Sequence, residues 1–193
     1  MSTYKGIKGF KVQSFAADPV PSTVAWASGG SMNTGRRELG AANQAPGHSA
    51  GLIFGGYKSP AGPTNATEEY NGTSWTSSNN MTTSRQRLAG AGIQTAGLAF
   101  GGGYPPTAHS ETEEYDGSSW TNGGGLGTAR GRLGGSGTQT AGLAFGGSTV
   151  AEPPSKTNAT EEYDGSSWTA GGVLSVSRFM LGGGGTQTSA IAF

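Results

Sequence analysis

The sequence contains no cysteine, two histidines and little charge. The absence of cysteine excludes disulfides, thiolate nucleophiles and zinc–thiolate sites, and His48 and His109 are too few for a histidine metal cluster. Twelve Lys and Arg balance twelve Asp and Glu, so no basic surface for nucleic acid is predicted. The chain has neither an apolar run of about 18 residues nor the continuous apolar segment of a secretory signal near its start. We therefore predict no metal, no cofactor, no nucleic-acid partner and no membrane span.

Glycine and proline make up about a quarter of the chain, 37 and 9 of 193 residues, and this disfavours helices. Only 33% of the residues are hydrophobic, and such a composition also occurs in disordered chains. The aromatic residues argue against disorder because they recur at nearly constant intervals. Four tryptophans lie 49, 45 and 48 residues apart (Trp26, Trp75, Trp120, Trp168), and four phenylalanines 46, 45 and 48 apart (Phe54, Phe100, Phe145, Phe193). This spacing predicts stacked repeats, in which the same side chain fills the same place in every unit.

Other residues recur in step with the tryptophans. An arginine follows each tryptophan by ten residues, and a leucine follows by thirteen. In three repeats the motif Thr-Glu-Glu-Tyr comes before the tryptophan, with the tyrosine five residues away from it. We predict that the residues repeated in this way hold the scaffold together: Trp26, Trp75, Trp120, Trp168, Arg36, Arg85, Arg130, Arg178, Tyr70, Tyr115 and Tyr163.

Each repeat is predicted to contain four short β-strands. Apolar segments such as residues 141–145, Ala-Gly-Leu-Ala-Phe, end in Gly-Gly and are typical of buried inner strands. The Gly-rich segments before them suit strands that are crowded by neighbouring sheets. Asn-Gly or Asp-Gly pairs then join the Thr-Glu-Glu-Tyr strand to the strand that begins at tryptophan. Four strands in each repeat correspond to one blade of a β-propeller.

The order of these motifs resembles the kelch repeat of β-propellers over residues 22–193. More narrowly, Thr-Glu-Glu-Tyr-Asp-Gly-Ser-Ser-Trp-Thr and Gly-Thr-Gln-Thr-Ala-Gly-Leu-Ala-Phe-Gly-Gly are similar to kelch-like arrays in virion proteins of bacteriophages. Residues 4–14 also resemble the short N-terminal segment of phage tail or fibre proteins. The resemblance implies a non-enzymatic structural protein of the virion, associated with the tail or fibre or decorating the particle.

The predicted fold is all-β, a kelch-like propeller of about four four-stranded blades in residues 15–193, preceded by an extended N-terminal arm in residues 1–14. Three repeats cover residues 27–75, 76–120 and 121–168. Residues 169–193 supply half of a last blade, and residues 15–26 are predicted to complete it. The N- and C-terminal strands then pair, within one chain or with a neighbouring chain, and no sheet edge stays exposed.

Two arginines are the candidate ligand-binding residues. Arg87 and Arg132 occupy a repeat position that holds Glu38 and Met180 in the other two repeats, and polar groups that differ between repeats are the better ligand candidates. The four repeated arginines could form a ring for a carboxylate or phosphate, but pairing with the Glu-Glu motif is the favoured interpretation. Adjacent glutamates on a strand point to opposite faces, so we predict no paired-carboxylate site and no catalytic residues.

The N-terminal arm is predicted to dock the protein on a particle. Its basic and apolar residues are Tyr4, Lys5, Ile7, Lys8, Phe10 and Lys11. Such a segment cannot form a core alone and becomes ordered against a partner. The predicted partners are other virion proteins, further copies of the chain on the particle, and a host-surface glycan or protein contacted by the variable loops 57–65, 103–111 and 148–158. The alternative is a glycan-binding or glycan-processing propeller, that is, a lectin or a hydrolase.

Overall fold

A computed structural model describes residues 29–42, 44, 49–104, 106–149 and 155–193. All regular elements in these residues are β-strands and none is a helix, which confirms the all-β prediction. It follows that this part of the chain has no helix long and apolar enough to cross a membrane. The predicted arm, residues 1–14, and the strand segment predicted in residues 15–26 lie outside the described residues.

The strands are short, from two to six residues. Turns follow them closely because Gly-Gly, Asn-Gly and Asp-Gly pairs come at their ends. In chain order they are β1 (Gly40–Ala42), β2 (Gly51–Phe54), β3 (Tyr57–Lys58), β4 (Gly62–Pro63), β5 (Thr67–Tyr70), β6 (Trp75–Ser78), β7 (Ala89–Ile93), β8 (Ala96–Phe100), β9 (Gly103–Tyr104), β10 (Thr107–Ala108), β11 (Thr112–Tyr115), β12 (Trp120–Gly123), β13 (Gly134–Gly137), β14 (Gly142–Phe145), β15 (Ala159–Tyr163), β16 (Trp168–Val173), β17 (Gly183–Gly185) and β18 (Ala190–Ala192).

Three repeats each form one four-stranded antiparallel sheet. The strand orders are β1-β2-β5-β6, β7-β8-β11-β12 and β13-β14-β15-β16, so each sheet runs from a Gly-rich inner strand to an outer strand that begins at tryptophan. The fourth repeat contributes the two-stranded sheet β17-β18. These sheets are consistent with three blades and half of a fourth. The pairs β3-β4 and β9-β10 are small hairpins inside two variable loops, which the sequence did not predict.

Glycine allows the inner strands β1, β7, β13 and β17 to lie close together. A Cβ atom on Gly135 would lie 2.7 Å from Cζ of Phe100 and 2.9 Å from the carbonyl oxygen of Gly90. No ordinary side chain fits in such a space. The aromatic and aliphatic core therefore lies further out, between neighbouring sheets, where Phe54, Phe100 and the tryptophans of the next repeat pack together.

The array is curved, and its first and fourth repeats meet on the inner side. Inner-strand residues of all four repeats, from Gly40 in β1 to Gly183 in β17, line one cavity of about 270 Å³. Nε2 of Gln44 donates a 2.9 Å hydrogen bond to the carbonyl oxygen of Gly185, which joins the first repeat to the fourth. In the part of the chain that the structure describes, the fourth sheet has two strands, and no closed ring of four complete blades is present. The pairing of residues 15–26 with the fourth repeat stays a prediction.

Tryptophans connect neighbouring sheets. Nε1 of Trp120 donates to Oγ1 of Thr67 in the preceding sheet at 3.0 Å, and Nε1 of Trp168 donates to Oγ1 of Thr112 at 2.8 Å. Trp120 is buried, as its repetition in a Gly-rich chain predicts. Trp75 and Trp168 are only half-buried.

The Asp-Gly-Ser-Ser turns are stabilised by their own aspartates. Oδ1 of Asp116 accepts hydrogen bonds from the backbone amides of Ser118 and Ser119 at 2.8 and 2.7 Å. These bonds, the Ser119 amide first among them, lower the pKa of Asp116 to about 2 although its side chain is exposed. Asp164 makes the equivalent contacts in the third repeat, and the neutral side chain of Asn71 takes this place in the first.

Candidate functional site

One end of the inner strands opens into a cavity of about 240 Å³, which we call the mouth. Each repeat supplies two consecutive residues to its lining: Glu38-Leu39, Arg87-Leu88, Arg132-Leu133 and Met180-Leu181. The leucines are the repeated member of each pair, and Leu88 and Leu133 are buried. The residues before them differ from repeat to repeat. The structure thus brings both sequence-predicted ligand candidates, Arg87 and Arg132, into one cavity.

The variable residues of the mouth have an uncommon backbone conformation. Glu38, Arg87, Arg132 and Met180 have φ angles of 57°, 58°, 56° and 59°, which is the left-handed region. Their backbones form a hydrogen-bonded chain around the mouth. The amide of Arg87 donates to the carbonyl of Glu38 at 2.7 Å, that of Arg132 to Arg87 at 2.8 Å, and that of Met180 to Arg132 at 2.8 Å. The fold therefore requires a left-handed residue at this position of each repeat.

Glycine would satisfy that requirement at the least cost. The left-handed conformation raises the free energy of a residue with a Cβ atom by about 1 to 2 kcal/mol, whereas it raises that of glycine hardly at all. Every other left-handed residue in the described part of the chain is a glycine. Four non-glycine side chains at this one position, in a chain so rich in glycine, make it a candidate for function, because strained residues cluster at functional sites.

Charged side chains lie at and beside the mouth. Arg87 and Glu38 form a bidentate ion pair, with Nη2 to Oε1 and Nε to Oε2 distances of 3.0 Å each. The guanidinium carbon of Arg132 lies 5.4 Å from the ring centre of Phe179, and Nζ of Lys156 lies 5.9 Å from the same ring. Two cations therefore flank one half-buried aromatic ring beside the mouth. Neither Phe179 nor Lys156 was predicted from the sequence.

The variable loops lie at the same end as the mouth. Backbone hydrogen bonds attach each loop to the residue directly before the left-handed residue of a repeat. The amide of Arg37 donates to Tyr57 at 3.1 Å, the amide of Gly103 to the carbonyl of Gln86 at 2.7 Å, and the amide of Gly131 to the carbonyl of Ser148 at 3.0 Å. The parts of the chain that vary between repeats therefore share one surface.

The repeated arginines lie inside the scaffold, away from the mouth. Each of three pairs with the first glutamate of a Thr-Glu-Glu-Tyr motif at 2.9 to 3.1 Å: Arg36 with Glu68, Arg85 with Glu113 and Arg130 with Glu161. Both side chains of the Arg85 pair are fully buried. Burial lowers the pKa of Arg85, and the charge of Glu113 opposes that shift. Arg178, the fourth member, lines a separate cavity next to the third repeat.

The second glutamate of the motif also serves the scaffold. The hydroxyl of Tyr115 donates to Glu69 of the preceding repeat, and the hydroxyl of Tyr163 donates to Oε1 of Glu114 at 2.5 Å. Burial, followed by the hydrogen bond to Glu69, raises the pKa of Tyr115 to about 12. Tyr70, the first of the three repeated tyrosines, packs on Trp75 with ring centres 5.0 Å apart. In the first and second repeats the two glutamates of the motif thus contact different elements, Arg36 and Tyr115 in one and Arg85 and Tyr163 in the other.

Several predicted residues lie outside the described part of the chain. They are the arm residues Tyr4, Lys5, Ile7, Lys8, Phe10 and Lys11, together with Trp26 and His48. His109 lies within it, and its Nδ1 is 3.2 Å from Oε2 of Glu111. Among the described residues, no group of three or more histidines and carboxylates is placed to hold a metal ion.

The left-handed conformation at the mouth has no signal of its own in the sequence. Glutamate, arginine and methionine are not residues that indicate a positive φ. The only available signal is that one position directly before the repeated leucine differs between repeats. That signal selects Arg87 and Arg132, but it does not reveal that the backbone there is strained.

No protein-family model matches the chain. A search of curated proteins likewise returns no significant match.

Proposed function

We propose that the protein is a non-enzymatic structural component of a bacteriophage virion. Residues 1–14 anchor it to other virion proteins, and several copies stand on the particle. The repeats form a kelch-like propeller of four blades, closed by the pairing of N- and C-terminal strands. The mouth and the variable loops face outward, for attachment to the host surface or for decoration of the particle.

The observation that carries the proposal is the separation of constant and variable residues. Constant residues fill the space between sheets, whereas the variable loops and the four left-handed residues share one end of the array. A rigid scaffold that presents variable residues at one end is the usual arrangement of a recognition protein. The resemblance of the repeats to kelch-like arrays in phage virion proteins supports the proposal that this recognition takes place on a virion.

The contacts of the repeated arginines and glutamates support a role other than catalysis. The glutamates of the motif are held by arginines on one side and by tyrosine hydroxyls on the other. A general acid or base needs a pKa matched to its task and access to substrate. Carboxylates that are buried and bound to arginine, such as Glu113, have no such access to substrate.

The surroundings of Phe179 favour a carboxylated ligand at the mouth. Arg132 and Lys156 lie on the same ring, and guanidinium groups bind carboxylates through paired hydrogen bonds. An acidic sugar offers a carboxylate together with an apolar face that can stack on an aromatic ring. The same observation supports the second candidate function, a glycan-binding domain. A virion protein that attaches to an acidic glycan of the host would have both functions.

Replacing Ile7 and Phe10 with serine is expected to abolish incorporation of the protein into particles of the phage that encodes it. A docking segment offsets its ordering entropy by burying apolar side chains, and this double change removes that burial. Incorporation is measured by mass spectrometry of particles purified on a density gradient. The melting temperature should stay at the wild-type value because the arm precedes the repeats.

Val176→Ser is the matched control, since it removes an apolar side chain that is 57% exposed on the repeats. This variant should be incorporated like the wild type. Normal incorporation of the double variant would show that the arm is not the anchor. Absence of the wild-type protein from purified particles would contradict the virion assignment itself.

A further inference from the structure

We propose that Asn71 is a site of spontaneous deamidation, at which the tight turn of the first repeat converts the asparagine into an aspartate. Asn71 and Gly72 begin the turn between β5 and β6, and the side chain of Asn71 is exposed. Asparagine is a chemically labile residue. It is most labile before glycine, because glycine has no side chain to hinder attack by its amide nitrogen on the carboxamide.

The turn lies away from the mouth. Tyr70, the last residue before it, pairs with Gly51 at one end of the first sheet, whereas a variable loop follows Phe54 at the other end. A new charge in the turn therefore leaves the mouth unchanged, and the inference does not depend on the proposed function.

The folded turn holds the side chain of Asn71 close to the nitrogen that attacks it. Oδ1 of Asn71 accepts hydrogen bonds from the backbone amides of Thr73 and Ser74 at 3.0 and 2.9 Å. The bond from Thr73 closes a ring of atoms that runs through Gly72. All the atoms of a succinimide, from Cγ of Asn71 to the nitrogen of Gly72, belong to this ring. The turn is thus preorganised for the cyclisation that begins deamidation.

The same two amides can stabilise the intermediate of that cyclisation. When the nitrogen of Gly72 bonds to Cγ of Asn71, negative charge develops on Oδ1. Backbone amides that already point at this oxygen then act as an oxyanion hole does. Among the described residues no acceptor binds the amide of Gly72, so it breaks no hydrogen bond before it reacts.

The reaction consumes only water. The nitrogen of Gly72 gives its proton to water and bonds to Cγ of Asn71, the bond from Cγ to the side-chain nitrogen breaks, and ammonia leaves. Water then opens the succinimide. Opening at Cγ gives aspartate, whereas opening at the main-chain carbonyl carbon of Asn71 gives isoaspartate.

The fold favours aspartate over isoaspartate, because aspartate stands in the equivalent turns of the next two repeats. Oδ1 of Asp164 accepts hydrogen bonds from the backbone amides of Ser166 and Ser167, both at 2.8 Å. These bonds, the Ser167 amide first among them, lower the pKa of Asp164 to about 2. An aspartate in place of Asn71 meets two amides in the same positions. Isoaspartate adds a methylene group to the main chain and displaces them.

The aspartate, once formed, does not react further. Asp116 and Asp164 are also followed by glycine. An ionised carboxylate is a poor electrophile, however, and the hydrogen bonds of the turn keep both carboxylates ionised at neutral pH. The conversion therefore runs in one direction, from the asparagine of the first repeat to the carboxylate of the other two.

A second Asn-Gly pair in the chain serves as the internal control. Asn122 and Gly123 end strand β12, where they pair with Glu113 and Thr112. The side chain of Asn122 is exposed like that of Asn71, but its Oδ1 accepts from the hydroxyl of Thr82 at 3.2 Å. Among the described residues no backbone amide donates to it. The two pairs thus have the same chemistry in different backbone conformations.

Deamidation is measured by peptide mass spectrometry after the full-length protein is incubated at mildly alkaline pH, either folded or in urea. In the folded protein Asn71 should react at least about tenfold faster than Asn122. Asn71 should also react faster in the folded protein than in urea, whereas Asn122 should react more slowly. A rate at Asn71 that is no higher than that of Asn122, or no higher than its own rate in urea, would overturn the proposal.

The product and a variant test whether the turn retains the aspartate. Fragmentation by electron transfer distinguishes the two products, and we expect mainly aspartate from the folded protein and mainly isoaspartate from the protein in urea. The variant Asn71→Asp, which is the product itself, should melt at the temperature of the wild type or above it. Mainly isoaspartate from the folded protein, or a lower melting temperature of Asn71→Asp, would contradict retention by the turn.

Discussion

Replacing Arg85 with methionine is expected to lower the free energy of unfolding by about 3 to 5 kcal/mol. The guanidinium of Arg85 is fully buried, 2.9 Å from Oε1 of Glu113, and its Nη1 donates to the carbonyl of Gly101 at 2.9 Å. The change leaves a buried carboxylate without its counter-charge and a carbonyl without its donor, and both effects are costly. Denaturation by urea at neutral pH measures the loss.

Two further variants separate charge from packing. Arg85→Met/Glu113→Gln should recover part of the loss because no uncompensated charge remains buried. Arg37→Met changes the exposed arginine next to Arg36 in the first repeat and should lower stability by no more than about 1 kcal/mol, the size of an exposed contact between a cation and an aromatic ring such as that of Arg37 with Tyr57. Equal stabilities of Arg85→Met and Arg37→Met would contradict a structural role for the repeated arginines.

Alanine at Gly90 is expected to destabilise the protein by about 1 to 3 kcal/mol or more, although alanine usually stabilises a strand relative to glycine. A Cβ atom there would lie 2.6 Å from Cζ of Phe54 and in direct contact with the carbonyl oxygen of Ala41. The phenylalanine is fully buried and the carbonyl belongs to a neighbouring inner strand, so neither can move without separating two sheets. Thermal unfolding followed by circular dichroism measures the effect.

Gly184 offers the matched control in the fourth repeat. Among the described residues, apart from its two chain neighbours, no atom lies within 4 Å of a Cβ atom at this position. Gly184→Ala should therefore leave stability unchanged or raise it slightly, by up to about 1 kcal/mol. If Gly90→Ala were equally neutral, the close approach of the inner strands would be wrong.

Much of the fold could be predicted from the sequence because repetition makes weak signals strong. A single Gly-Gly or Asp-Gly pair says little, but Trp75, Trp120 and Trp168 return with the same neighbours, and each stands at the start of an outer strand. The pairing of the Thr-Glu-Glu-Tyr strand with the outer strand followed from the Asn-Gly or Asp-Gly pair between them. The hairpins β3-β4 and β9-β10 lie in loops that do not repeat, and no pattern pointed to them.

The candidate site could be predicted only in part. Arg132 was selected because the residue at its position differs between repeats. Its left-handed backbone conformation, however, is held by a chain of hydrogen bonds to which four segments distant in the sequence contribute, and this could not be predicted. Lys156 and Phe179 meet Arg132 through the fold, and they are 24 and 47 residues away from it in the sequence. Contacts of that kind come from the curvature of the array, which no local motif encodes.

The central claim is that the mouth binds a ligand while the repeated arginines hold the scaffold, and the variant Arg132→Gly tests it most directly. Binding is measured on an array of sialylated and uronic-acid glycans beside their neutral counterparts, with Val176→Ser, a change of an exposed residue that does not line the mouth, as the control. We expect the wild type and Val176→Ser to prefer carboxylated glycans. Arg132→Gly should lose this preference and keep or raise the melting temperature, because glycine relieves a φ of 56°. A wild-type protein without preference for carboxylated glycans, or an Arg132→Gly variant that binds them like the wild type, would contradict the claim.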